Sequence, residues 1–228
     1  MNARNKCFKV IKAIRYKLRS RKTIFSEIYH NNSWSGQDSV SGPGSDLSAT
    51  LVIRQEIPTL IKEVNARTLL DAPCGDFCWM KETELDLDRY IGVDIVPDMI
   101  ARNRQNYANE TRTFVSSDIT KDRLPQADVI LCRDGLVHLS FKDIFSTIRN
   151  FKKSKSMYLL TTTFPQLREN GDIVTGGWRP INLQKKPFSF PKPIKLINEK
   201  YEKYSSNGRD SDKSLGLWKL EDISIPKS

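Results

Sequence analysis

Leu69-Leu70-Asp71-Ala72-Pro73-Cys74-Gly75-Asp76-Phe77, with Tyr90-Ile91-Gly92-Val93-Asp94 after it, decides how this chain of 228 residues folds. Each stretch opens as a short apolar run and stops at an aspartate. A strand with one wet face alternates apolar and polar residues, whereas a strand covered on both faces reads as a continuous apolar run. Proline and glycine then turn the chain after the first run. The pair reads as two strands of a parallel sheet with helices on both sides.

The same rhythm continues outward. Strands are expected over Thr68 to Asp71, Tyr90 to Asp94, Thr113 to Ser116, Asp128 to Cys132 and Met157 to Thr162. Helices fill the gaps: Pro97 to Tyr107 starts on a proline, and Phe141 to Phe151 follows Ser140 as its cap. Upstream, Ser48 reads as the cap of a helix whose buried face is Leu51, Ile57, Leu60, Ile61 and Val64, with Pro58 marking a kink. Downstream, prolines 165, 180, 187, 191 and 193 and the run Ser214 to Leu220 read as a rim with closing edge strands. The fold class is α/β, a single doubly wound, Rossmann-like domain. Its expected divisions are a basic arm at 1–22, a Ser/Gly-rich lid or linker at 23–46, and the domain proper at 47–228, with 164–213 as a substrate-side rim.

Composition agrees with one globular domain: 38% hydrophobic residues, a mean hydropathy of −0.50 and enough length to bury a core without staples. Four cysteines without a CxxC pair give neither a disulfide framework nor a zinc site, and fit a reducing cytoplasm. The formal charge is +10, of which residues 1–22 carry +9 and no acid. Cys7, Val10 or Ile11, Ile14 and Leu18 recur in that arm at helical steps, so it reads as a basic amphipathic helix. It lacks the apolar core of a secretory signal and is too polar to span a bilayer. A solvated arm, a helix on anionic lipid at the inner face of the membrane and a helix on RNA phosphates all suit it. Trp34, in a stretch rich in Ser, Gly and Asn, favours a lid over a linker.

Open parallel sheets bind ligands beyond the carboxyl ends of their strands. Here those ends are acidic: Asp71, Asp94, Asp118 in Ser116-Ser117-Asp118-Ile119, and Asp134 in Cys132-Arg133-Asp134-Gly135. Asp94 lies 19 residues past Gly75, where a ribose-binding carboxylate is expected after a glycine turn. A pyrophosphate cofactor needs several glycines so that backbone N–H groups can close on the phosphates. This turn has one, between Asp71 and Asp76, whose charges repel a pyrophosphate and favour a cation. A cationic, phosphate-free cofactor fits, namely S-adenosylmethionine, with Asp94 on the ribose hydroxyls and Asp118 or its neighbours at the adenine amino group.

Leu70 to Asp76, Tyr90 to Asp94, Ser117-Asp118-Ile119 and Asp128 to Asp134 together resemble the motifs of the class I S-adenosylmethionine-dependent methyltransferases, over residues 47 to 163. The loop departs from that family, with Pro73 or Cys74 at the usual first glycine and Asp76 or Phe77 at the last. The resemblance implies a seven-stranded sheet with an antiparallel last strand, which suits Ser214 to Leu220. It places Asp71, Ala72, Cys74, Gly75, Asp76, Asp94, Ile95, Ser117, Asp118, Ile119 and Arg133 at the cofactor.

Methylating a hydroxyl or amine leaves a proton to remove, so His138 and Asp134 are the candidate catalytic residues. A satisfied buried histidine, an Arg133–Asp134 ion pair and transfer by positioning alone are the alternatives. Trp34, Trp178, Arg179 and Asn182 are expected at the acceptor, as stacking platforms, anion clamp and hydroxyl reader, unless the Gly176-Gly177 turn is an ordinary packed one. The chain lacks Asn-Pro-Pro-Tyr or Asp-Pro-Pro-Tyr after strand four, a proline after Cys132, and an Asp-Asn pair after Thr161-Thr162-Thr163-Phe164. Base-amine, cytosine-5 and catechol-type magnesium chemistry are therefore disfavoured, and no metal is expected. What remains is O- or N-methylation of a small or medium polar acceptor. The lid, the turn and the arm together point to a sugar or surface-glycan precursor. An RNA methyltransferase that grips with the arm, and a binding module without catalysis, stand as alternatives.

Overall fold

The computed structural model describes residues 16–200 and 212–225. In chain order these hold α1 (Arg21–His30), α2 (Leu51–Glu63), β1 (Thr68–Asp71), β2 (Arg89–Asp94), α3 (Pro97–Tyr107), β3 (Arg112–Ser116), β4 (Val129–Cys132), α4 (Phe141–Lys153), β5 (Tyr158–Thr163), β6 (Lys195–Asn198) and β7 (Ser214–Lys219). The strands form one sheet in the order β3-β2-β1-β4-β5-β7-β6. β1 to β5 run parallel, and β7 is antiparallel to both β5 and β6. The seven-stranded doubly wound sheet is the one expected from the sequence.

Alternate residues of each central strand serve different layers. Leu69, Val129 and Leu131 pack with Ile53, Ile57, Leu60 and Ile61 of α2. Leu70, Ile130 and Cys132 pack with Ile144, Ile148 and Phe151 of α4. Each such side chain contributes about 1.5 to 3 kcal/mol by leaving water, which is why the strands read as unbroken apolar runs. Ser140 caps α4 as expected, its hydroxyl accepting from Asp143 N at 3.2 Å. Lys152 in the last turn donates to the carbonyls of Leu220 and Ile223 and fastens the end of the described chain.

Two local expectations are corrected. Ser48 does not cap α2: the N-cap position is Thr50, whose hydroxyl donates back to Asp46 O at 3.0 Å instead. Leu51 is 52% exposed, and Ile53 takes its place on the buried face. The edge strand β6 was legible only as part of a rim, because it has four residues and Leu196 on it is exposed. Most of the arm, with Cys7, Phe8, Val10, Ile11 and Ile14, lies outside the described residues, as does the loop at 201–211. Among the described residues no helix is long and apolar enough to cross a membrane.

Candidate active site

The carboxyl ends of β1 to β4 open into one cavity with about 1020 Å³ of empty space, its mouth included. Strand-end loops form the floor, and α1 with residues 31–46 forms the roof. Nine of the eleven residues expected at the cofactor line it, and so do Asp134, His138 and Trp34.

Past β1 the backbone turns at Gly75, with φ of +57°. A Cβ there would lie 2.5 Å from Ser41 Oγ, so only glycine suits both the left-handed conformation and the approach of the roof. Gly75 N and Val96 N donate to Asp94 Oδ2 and Oδ1 at 3.2 and 3.0 Å. These bonds orient the carboxylate and leave part of its acceptor capacity unused. Burial lifts Asp94 to about 6 even though the N–H groups of Val96 and Gly75 favour its charged form. Asp71 accepts from Tyr90 Oη at 2.6 Å, and burial lifts it to about 7.

Three expected cofactor residues behave differently. Ala72 is fully buried in the core layer under α4. Asp76 faces the roof rather than the cavity, accepting from Ser39 Oγ and Val40 N at 2.9 Å and from Ser41 Oγ at 3.3 Å. Asp118 lines the cavity, but its carboxylate is already engaged: Thr120 N and Oγ1 donate to Oδ1 at 3.0 and 2.8 Å. Arg21 Nε and Nη2, each at 3.0 Å, take Oδ2. Three hydrogen bonds and the second arm of the Arg21 ion pair engage both oxygens, so Asp118 is not free for an adenine amino group. Arg21, counted above with the arm, also reaches Asp143 Oδ1 at 3.0 Å and so ties α1 to the loop after β3 and to the first turn of α4.

At the end of β4, Asp134 adopts a left-handed φ of +53°, which aspartate tolerates better than most residues. Lys213 Nζ lies 2.6 Å from Asp134 Oδ2 and 3.4 Å from Glu199 Oε2. Arg133 lies 2.6 Å from Glu199 and 3.4 Å from Asp134. Burial pushes the Asp134 carboxyl up, but Lys213 and Arg133 outweigh it and hold the group well below the usual carboxylate range. It is therefore a permanent hydrogen-bond acceptor and a weak base, contrary to the expectation that it competes for the proton.

His138 suits a base better. Its Nδ1 lies 2.7 Å from Gly177 O. A carbonyl only accepts, so Nδ1 carries the hydrogen and Nε2 keeps its lone pair. Burial pushes its pKa below the ordinary value, and Trp34 stacks on the ring at 4.5 Å between centroids with 26° between planes.

Trp178, Arg179 and Asn182 do not line the cavity. Trp178 is half-exposed and meets Phe164 edge-on. Asn182 donates to the carbonyls of Pro165 and Leu167. The buried guanidinium of Arg179 donates to Leu136 O, Leu139 O and Gly171 O. Donor chemistry that reads as acceptor binding in the sequence is spent on backbone carbonyls. The turn itself is tightly seated, since Gly176 has φ of +94° and a Cβ there would lie 2.5 Å from Ile24 Cγ2. Gly176→Ala is expected to cost roughly 2 to 4 kcal/mol, read as a fall in the urea midpoint at unchanged slope.

Cys132 is buried in β4, and burial pushes its thiol up to about 12, which leaves it a packing residue. Among the described residues no group of three or more His, Cys, Asp or Glu is placed to hold a metal. Sequence reasoning missed Arg21, Phe25 and Tyr29 of α1, Trp79, and the Glu199 and Lys213 pair. Only α1 carried a signal, the helical spacing of Ile24 and Ile28.

Residues 70–158 match the model of a family described as a methyltransferase domain. No curated protein matches the chain. Among solved structures, the 1,6-didemethyltoxoflavin-N1-methyltransferase of Burkholderia thailandensis is similar over 87% of this chain and 86% of its own, with 15% identity and a TM-score of 0.61. The N-methyltransferase NodS from Bradyrhizobium japonicum WM9 is similar over 72% and 94%, with 14% identity and a TM-score of 0.51. The methyltransferase domain of bacterial CtHen1-C is similar over 52% of this chain at 14% identity and a TM-score of 0.45, and this chain covers 66% of it, just under two thirds. At these identities the likeness to the first two carries the fold alone. Residues 70–158 are thus similar to a methyltransferase domain, set in a sheet whose fold the Burkholderia and Bradyrhizobium methyltransferases share.

Proposed function

We propose that this chain methylates an oxygen or nitrogen of a small polar acceptor, with the cavity at the ends of β1 to β4 as the cofactor's site and His138 as the proton acceptor. One observation carries the reading: a single cavity is lined both by Asp71, Gly75 and Asp94 and by a histidine with Nδ1 on a carbonyl. The residues fit S-adenosylmethionine, because two buried carboxylates face the cavity and the one-glycine turn offers no phosphate cradle. When bound, the cofactor supplies an electrophilic methyl group on a sulfonium.

The chain's own residues then have separate tasks. Asp94 receives the ribose hydroxyls on its remaining lone pairs, and Asp71, in its ionised form, sets a negative field toward the cation. The loop at Ser117 and Ile119 meets the adenine, since the carboxylate of Asp118 is occupied. Phe25, Tyr29 and Trp79 wall the cavity and exclude water. His138 Nε2 takes the proton released from the methylated atom, while Asp134, fixed as a carboxylate, accepts from a neighbouring polar hydrogen of the acceptor. The sugar-precursor reading loses the Trp178-Arg179-Asn182 turn as a support and now rests on the roof and the basic arm.

The segment at 23–46 acts as the lid, latched by Arg21 on Asp118 and Asp143. Arg21→Ala is expected to raise the S-adenosylhomocysteine dissociation rate roughly 5- to 30-fold, measured by stopped flow, because a half-buried charged pair is lost. An unchanged rate removes the latch. The basic arm binds anionic lipid through its cations: deleting residues 1–15 should abolish low-salt co-sedimentation with phosphatidylserine vesicles, and retained sedimentation speaks against it.

The proposed activity is tested with methyl-labelled S-adenosylmethionine and separated small-molecule and RNA fractions of a cell extract. Label is expected in the small-molecule fraction. Label in RNA instead favours the RNA methyltransferase alternative, and binding without transfer to either favours the non-catalytic one.

A further inference from the structure

The short turn that carries His138, Leu136–His138 with Leu139 as its cap, is gripped from outside at four successive carbonyls. Leu136 O and Leu139 O accept from Arg179 Nη1 and Nη2 at 3.0 and 2.7 Å. Val137 O accepts from Arg179 N at 3.2 Å, and His138 O from Gly176 N at 2.8 Å. The fifth contact is the imidazole itself, with Nδ1 at 2.7 Å from Gly177 O. All five come from three residues of one turn, none of which lines the cavity.

We propose that Arg179 and the Gly176-Gly177 turn are the positioning device of His138, holding its ring in the Nδ1–H tautomer so that Nε2 is the atom left to take a proton. The inference rests on the reading of His138 as the proton acceptor and adds the residues that make it one. A guanidinium is the side chain whose planar fork can span two carbonyls on either side of a residue at once. Burying that cation is tolerable only with such partners, and burial lowers Arg179 to about 10, which keeps it charged at neutrality. Its grip sets the height and direction of the ring against Gly177 O, and Trp34 closes one face of it.

The charged groups acting on the ring are Asp134, which favours imidazolium, and Arg179 and Lys213, which oppose it. Together with burial, the two cations keep His138 neutral, so that its tautomer, rather than its charge, is what the turn controls. A turn that served packing alone would need the backbone contacts. It would have no requirement for a carbonyl aimed at Nδ1.

The chain has two histidines, His30 and His138, so long-range ¹H–¹⁵N spectra of the labelled full chain read the tautomer directly, with His138→Gln giving the assignment. The wild type is expected to show His138 as Nδ1–H at pH 8. In Arg179→Lys, a single ammonium cannot hold both carbonyls, and the spectrum is expected to shift toward the Nε2–H form that free histidine prefers. Affinity for S-adenosylhomocysteine should stay within about threefold, because Arg179 acts through another residue. An Nε2–H wild type overturns the inference, and this result needs no variant to fold. So does a folded Arg179→Lys with the tautomer unmoved. Failure of the wild type to bind S-adenosylhomocysteine would instead remove the cofactor reading of the cavity, a separate outcome.

Discussion

Asp94→Ala is expected to bind S-adenosylhomocysteine about 2 to 4 kcal/mol more weakly than the wild type, roughly a 30- to 1000-fold loss, the scale of removing one partner of paired buried hydrogen bonds. Gly75 N and Val96 N hold this carboxylate in place. Its titration gives the prediction a pH signature. Burial raises Asp94 from an ordinary 3.8 to about 6. A group whose folded pKa is raised contributes stability that is present below its ordinary pKa and is lost as pH rises through the folded one. Above pH 6 the ionised Asp94 therefore strains the fold while it serves the cofactor. Asp94→Asn, with one acceptor oxygen for the two N–H groups of Gly75 and Val96, should bind poorly at pH 8. Wild-type affinity should fall as the pH drops below about 6 and the carboxylate takes up its proton. Calorimetry from pH 5 to 8 checks both, and wild-type-like affinity in Asp94→Ala would sink the ribose role.

His138→Gln is expected to lower the turnover number about 10²- to 10⁴-fold, the usual contribution of one general base, with cofactor affinity little changed. Glutamine keeps a similar size and can still donate toward Gly177 O, but it has no lone pair of imidazole basicity. Turnover in the wild type should fall on the acid side as His138 Nε2 is protonated, with the midpoint below the ordinary histidine value because of burial. Near-full turnover in His138→Gln would mean that positioning drives the transfer unaided.

Much of the fold was legible because the central strands are covered on both faces. Leu69-Leu70 and Val129 to Cys132 alternate between two core layers rather than between core and water, so they appear as apolar runs that end sharply at the cavity. The acidic ends Asp71 and Asp94 could be read for the same reason: a carboxylate that closes such a run sits at the carboxyl edge of the sheet. The four-residue edge strand β6 has no comparable pattern.

The parts of the site contributed by distant segments were not legible. Arg21 looks like one more cation of a basic arm, yet its partners are 97 and 122 residues away. Glu199 and Lys213 pair with Arg133 and Asp134 across 66 and 79 residues, and nothing local marks Glu199 or Lys213. Trp178, Arg179 and Asn182 misled for a chemical reason. A guanidinium and an amide that would bind an acceptor's oxygens bind backbone carbonyls equally well, and only the fold decides which. Asp118 is the converse, a strand-end acid at the expected place whose oxygens Thr120 and Arg21 already engage.

S-adenosylmethionine titrated calorimetrically into the full chain, beside Asp94→Asn and His138→Gln, bears most directly on the cavity at the ends of β1 to β4 as a cofactor site. The wild type and His138→Gln are predicted to bind one molecule per chain with similar affinity, and Asp94→Asn to bind far more weakly. No heat and no thermal shift from the wild type, or equal binding by Asp94→Asn, would contradict it.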